Sequence, residues 1–172
     1  MDQAVSLDPR VRQARRLELG DKGELWALNF LQNRGLCVSL TPRNTRDIDI
    51  VASDNSNRRI FDLQVKSRDR YRNWTMSRKH EGVVDPLLFY CFLKFDFEDT
   101  AREPLCWIVP SSIVADVLRE SHQAYLAQNP KTRRDTAKRN FRDDYSNRGL
   151  VEKYGPTWLN RYRDAWDQLP LV

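Results

Sequence analysis

The chain of 172 residues is 40% hydrophobic and 31% charged, with 29 Lys and Arg against 24 Asp and Glu, for a net charge of +5. That length suits one domain with a sizeable core, and no apolar run approaches the ~20 residues of a membrane span. The start Met1-Asp2-Gln3-Ala4 lacks a basic-then-apolar leader, so the sequence predicts a cytoplasmic protein with no membrane partner. Cys37, Cys91 and Cys106 lack CxxC spacing, form neither a disulfide framework nor a thiolate metal site, and are expected as buried thiols.

In chain order, residues 1–19, with Arg10, Arg12, Arg15 and Arg16, read as an exposed basic arm or short helix. Asp21-Lys22-Gly23-Glu24 then reads as a helix start. Asp21 would be the cap, with Glu24 three residues on, Leu25, Leu28 and Leu31 at helical spacing, and Gly35 at the end. Short apolar runs at 36–40, 47–52 and 60–66 predict three strands. The turn-forming residues Ser53 to Asn57 predict an antiparallel hairpin between the second and third. Runs at 87–97 and 105–109 predict two more buried strands, and Pro110-Ser111-Ser112 introduces a helix to about 127. The polar stretch 128–148 reads as a weak helix or loop. Trp158, Tyr162 and Trp166 at i, i+4, i+8 predict a last helix over 154–169, its stripe a core face. The sum is an α/β domain around a mixed sheet. Residues 20–127 form its core, and 128–172 a basic and aromatic helical extension of the same domain.

The charge is segregated. Arg58, Arg59, Lys66, Arg68, Arg70, Arg72, Arg78 and Lys79 face only Asp62 and Asp69 in their window; the stretch 81–120 is acidic; and 131–142 is basic again. Segregation of this kind favours a polyanion-facing side, with a solvated loop as the alternative for 131–142.

In the third strand, alternation places Asp62, Gln64 and Lys66 on one face and Phe61, Leu63 and Val65 on the other. Hairpin pairing brings Asp49 beside Gln64 and Lys66. Asp49, the Gln64 amide oxygen and the Val65 carbonyl supply the hard oxygen ligands that Mg²⁺ or Mn²⁺ prefers, and Lys66 can orient or activate a water and stabilise charge developing on phosphorus. The ordered string Gly20, Gly23, Glu24, then Arg46-Asp47-Ile48-Asp49-Ile50-Val51-Ala52, then Asp62-Leu63-Gln64-Val65-Lys66-Ser67 resembles the PD-(D/E)xK phosphodiesterases, the restriction-endonuclease-like superfamily with an αβββαβ core. The resemblance covers 20–67 and implies roles for four residues. Asp49 would ligate the metal, Gln64 would take the motif carboxylate position, Lys66 would be the catalytic lysine, and Glu24 the helix acid completing the site. Gln-x-Lys in place of an acid is the variant of the Mrr-like nucleases; a neutral amide gives up one negative charge toward the metal. Val-Lys-Ser followed by an aromatic and basic segment also resembles small members of the superfamily.

Glu24 has the capping box as its alternative role, and Asp47 reads as an outer or solvent-facing residue. Arg43, Arg46, Arg68, Arg70, Arg72, Trp74, Ser77, Arg78 and Lys79 are the candidate contacts to nucleic acid, with Trp74 either stacking on a base or plugging the core. His80 and His122 lack metal-ligand spacing and read as structural or surface residues. The function expected is a Mg²⁺-dependent DNA endonuclease. The alternatives are an inactive nucleic-acid-binding module of a larger defence or repair assembly, or an RNA-processing nuclease. With one site per chain, double-strand cleavage needs a homodimer or two successive nicks.

Overall fold

The computed structural model describes residues 9–42, 47–69, 73–96 and 102–170. In chain order the elements are α1 (Pro9–Gln32), β1 (Cys37–Leu40), β2 (Ile50–Ser53), β3 (Arg59–Asp69), β4 (Trp74–Ser77), a 3₁₀ turn at Arg78–Glu81, β5 (Leu88–Phe95), β6 (Leu105–Pro110), α2 (Ser111–Gln128), β7 (Lys138–Phe141) and α3 (Val151–Tyr154), with 3₁₀ turns interspersed after β7. Five strands form one mixed sheet in the order β1-β2-β3-β5-β6, and β4 and β7 form a second, two-stranded sheet.

The expected hairpin is present. β2 pairs antiparallel with β3 through Ile50↔Leu63 and Ala52↔Phe61, and the turn is held by the Asp54 carboxylate, which accepts from the backbone N–H groups of Ser56 (2.8 Å) and Arg58 (2.9 Å). β5 lies parallel to β3 on its other side, with Gln64 opposite Tyr90 and Lys66 opposite Phe92. A parallel pair needs a crossover. Among the described residues this one carries β4 and the 3₁₀ turn rather than an α-helix, and the helix on that side, α2, follows β6 instead.

Alternation along β3 divides the core as expected. Phe61, Leu63 and Val65 pack with Phe89, Cys91 and Leu93 against Ala27 and Leu31 of α1. On the opposite face Tyr90, Phe92 and Trp107 pack with Val114, Val117 and Leu118 of α2 and with Trp74, Met76 and Phe141 of the small sheet. Phe92 and Phe141 stack at 4.0 Å and join the two sheets.

Four expectations are corrected. α1 begins at Pro9, so residues 9–19 are helical, Gly20 and Gly23 lie inside the helix, Asp21 is not its cap and Glu24 closes no capping box. A mid-helix glycine costs about 1 kcal/mol relative to alanine. At position 23 packing requires it: a Cβ there would lie 1.9 Å from Ser67 Oγ and 3.3 Å from Leu93 Cδ1, so only glycine lets α1 approach β3 this closely. The segment 154–169 is no continuous helix but 3₁₀ turns at Trp158–Tyr162 and Trp166–Gln168, separated by Asp164 at φ +49°. Trp158 and Tyr162 belong to one face's core and Trp166 to the other's, and Arg163 bridges to Trp107 on β6; the chain wraps the sheet edge, which a straight helix could not do. Within 128–148 lies β7, and Cys37 is exposed while Cys91 and Cys106 are buried with sulfurs 3.7 Å apart. Among the described residues no helix is long and apolar enough to cross a membrane.

Candidate functional site

β2 begins at Ile50, and Asp49 extends its track on the N-terminal side. The Asp49 N–H donates to the Leu63 carbonyl (3.0 Å), and the Asp49 carbonyl accepts from Thr41 (2.9 Å). Its backbone is thus fixed on both sides, and its side chain turns onto β3, where Oδ2 accepts the Val65 N–H at 2.7 Å. A strand residue's N–H and C=O point the same way, so the Val65 carbonyl shares that edge, beyond the last β2–β3 pair. Gln64 is buried at 2% exposure, and its Oε1 has no hydrogen-bond partner. Such an atom carries a desolvation penalty of about 1–3 kcal/mol unless something binds it.

Lys66 is half-buried on the same face as Gln64. Burial pushes its ammonium below the ordinary lysine value, against the pull of Asp49, Asp47 and Glu24. Burial also raises the Asp49 carboxyl, opposed by Lys66 and the Val65 N–H. Each group therefore sits closer to neutrality than it would in water, as acid–base work requires. Asp47, at φ +27°, forms an ion pair with Lys79 at 2.5 Å. Although burial raises its carboxyl, Lys79, His80 and Lys66 hold it below the usual range.

Two residues that sequence reasoning assigned elsewhere, or passed over, complete the site. His80, read as a structural or surface residue, is buried. Its Nδ1 lies 3.2 Å from the Ser77 N–H and 3.0 Å from the Ser77 carbonyl, while its Nε2 is buried without a partner. Burial pushes the imidazole down, with Lys66 and Lys79 adding to the effect and Ser77 and Asp47 opposing it. Tyr90, paired with Gln64 across the β3–β5 ladder, is fully buried, its ring 6.0 Å from the His80 ring, and its hydroxyl is likewise unpartnered. Burial and the Asp47 charge keep that phenol protonated. Three orphaned polar atoms, Gln64 Oε1, Tyr90 Oη and His80 Nε2, thus belong to the cluster around Lys66. The only signal available beforehand was the alternation of β5, which places Tyr90 among inward residues; nothing local marks His80, whose position depends on the small sheet.

Asp62 stands apart, taken by Arg59 at 2.7 Å. Of the two readings of Trp74, the structure shows the core one. It is 1% exposed, its Nε1 donates to the Leu93 carbonyl at 2.9 Å, and the buried Arg68 guanidinium lies 3.8 Å from its ring centroid. Arg68 also pairs with Asp143, Arg78 pairs with Asp135 at 2.7 Å, and Ser77 faces His80. Arg43, Arg46, Arg70 and Arg72 lie outside the described residues.

Among the described residues no three His, Cys, Asp or Glu side chains converge as a metal cage. The donor set here is of another kind, one carboxylate with neutral oxygens. Mg²⁺, which keeps several waters and takes one or two carboxylates plus substrate phosphate, suits that set better than Zn²⁺ does. The orphaned Gln64 Oε1 beside Asp49 fits such a cation. Comparison with known proteins leaves the site to its own chemistry: no protein-family model, no curated protein and no solved structure matches the chain.

Proposed function

We propose that the chain is a metal-dependent endonuclease acting on DNA, with a restriction-endonuclease-like core. The observation that carries this reading is the meeting of Asp49, Gln64 and Lys66 at the β2–β3 end, with Gln64 Oε1 buried and unpartnered and Lys66 depressed in basicity. The order α1-β1-β2-β3, followed by a strand parallel to β3, also supports it, although β4 and a 3₁₀ turn stand where that core has a helix.

Asp49, Gln64 and the Val65 carbonyl would hold Mg²⁺, which supplies charge neutralisation and an acidified water when bound. Lys66, its basicity lowered by burial, would orient the attacking water, deprotonate it when neutral, and as the ammonium offset charge on the phosphate. Tyr90, protonated, offers a hydroxyl donor, and Asp47 with Lys79 fixes the flank of the site. The charge of Glu24 acts on Lys66 and raises its basicity.

A second reading keeps the fold and drops the chemistry. It is favoured by the neutral Gln64 and by the lack of a three-acid cluster among the described residues. One experiment separates the two. Supercoiled plasmid is incubated with the protein and Mg²⁺ or Mn²⁺, and cation binding is measured by calorimetry. Nicking that is lost in Asp49→Ala and Lys66→Ala, and cation affinity that rises in Gln64→Glu, are the expected results. Nicking that survives both alanine variants would sink the assignment. DNA binding without cation binding or nicking would select the second reading.

A further inference from the structure

The basic window Arg58 to Lys79 is largely ion-paired where it is described: Arg58 with Asp54, Arg59 with Asp62 and Asp85, Arg68 with Asp143, Arg78 with Asp135, Lys79 with Asp47. The C-terminal arginines are arranged differently. Arg133 and Arg148 each place their guanidinium 4.3 Å from the ring centroid of Tyr125, near the end of α2. Arg133 is anchored there by donating to the Tyr125 carbonyl at 2.9 Å. Arg148 Nη1 is buried and has no hydrogen-bond partner.

Burial disfavours the Arg148 charge most, the charges of Arg142 and Arg133 add to that, and Tyr125 and Tyr145 oppose it. The neighbouring acids are engaged elsewhere. Asp143 holds Arg68, Asp144 accepts from Ser146, and Asp135 binds His122, Arg78 and Arg139. Among the described residues Arg133, Arg142 and Arg148 have no ion pair. Three like charges drawn together, one with a desolvated donor, are unfavourable in the free protein and become favourable when an anion enters. Guanidinium forks present paired N–H donors that match the oxygens of a phosphate, and the Tyr125 ring keeps two of the forks in place.

We propose that Arg133 and Arg148, held against Tyr125, form with the nearby charge of Arg142 a phosphate-binding site separate from the Asp49–Lys66 centre. The phosphate belongs either to a nucleic-acid backbone or to a free inorganic anion, and the test distinguishes these sources. It does not depend on the nuclease reading.

Wild type, Arg142→Ala, Arg142→Ala/Arg148→Gln and Lys66→Ala are titrated with inorganic pyrophosphate by calorimetry. Each is also titrated with a 20-base-pair duplex at several salt concentrations. The Arg142 side chain makes no hydrogen bond among the described residues, so Arg142→Ala keeps the fold readable, and near-UV circular dichroism checks both variants. The expected result is pyrophosphate binding by wild type and Lys66→Ala that weakens at least tenfold in Arg142→Ala and further in the double variant. A backbone source also lowers the salt slope of duplex binding by about one for each arginine removed. Loss of pyrophosphate binding with unchanged duplex affinity assigns a free anion. Wild type that binds no pyrophosphate, and whose duplex affinity is unchanged in the double variant, overturns the site. Loss of nicking in Lys66→Ala with anion binding intact keeps the two centres distinct.

Discussion

Tyr90 and His80 illustrate how a residue can be costly to stability and useful at a site. The Tyr90 hydroxyl is buried and unpaired, and an orphaned donor of this kind costs about 1–3 kcal/mol. Tyr90→Phe should therefore raise the urea midpoint while lowering nicking of supercoiled DNA; a variant that is no more stable would mean that the hydroxyl is satisfied in solution. His80 has the opposite dependence on conditions. Its folded value lies below the 6.5 it has in the unfolded chain, so between the two values only the unfolded chain holds the proton. Stability consequently falls as pH drops through 6.5 toward the folded value, and His80 contributes no pH dependence above that window. His80→Asn, which keeps a polar partner for Ser77, should lose less stability between pH 7.5 and 5.5 than wild type in urea unfolding. Asp49, Gln64 and Lys66 could be brought together from the sequence because strand alternation and one hairpin place them. Tyr90 and His80 could not be joined to them, since their approach depends on a parallel ladder and on a short sheet closed by distant residues.

At the level of elements, Gly23 marks a close junction between α1 and β3 beside the site. Gly23→Ala should lower the melting temperature despite alanine's ~1 kcal/mol advantage in a helix, because the added methyl meets Ser67 and Leu93. The double variant Gly23→Ala/Ser67→Ala should recover part of the loss in thermal unfolding, since it removes the closer of the two obstacles. The Gly-x-x-Gly-Glu string thus lies next to β3 for a packing reason, not as a helix start. Glycine spacing near a capping-type sequence resembles a helix start, whereas here it marks where a longer helix crosses a strand. The aromatic stripe 158–166 misled similarly. Its i, i+4, i+8 spacing is helical, but its members serve two different cores, and that division is set by the edge of the sheet rather than by local sequence.

Across the whole molecule, the basic–acidic–basic pattern of the sequence survives in altered form. The first basic block largely neutralises itself against acids drawn from elsewhere in the chain, including Asp135 and Asp143, whereas Arg133 and Arg148 at Tyr125 have no ion pair among the described residues. The five sheet strands were legible because each is a short apolar run. β4 and β7 were not, being four-residue strands of mixed polarity that exist only through each other. Their pairing, Trp74↔Phe141 to Ser77↔Lys138, has a consequence in time. It closes a loop of about sixty residues, and contacts of such separation form late because the chain entropy they restrict is repaid only once both ends are packed. Asp49, Gln64 and Lys66 can assemble with the early hairpin, but Lys79 and His80 reach them only after β7 has docked. On this topology β2–β3 is expected to gain hydrogen-exchange protection before β4–β7 in pulse-labelled refolding, so the acid and the lysine would meet before their flank arrives.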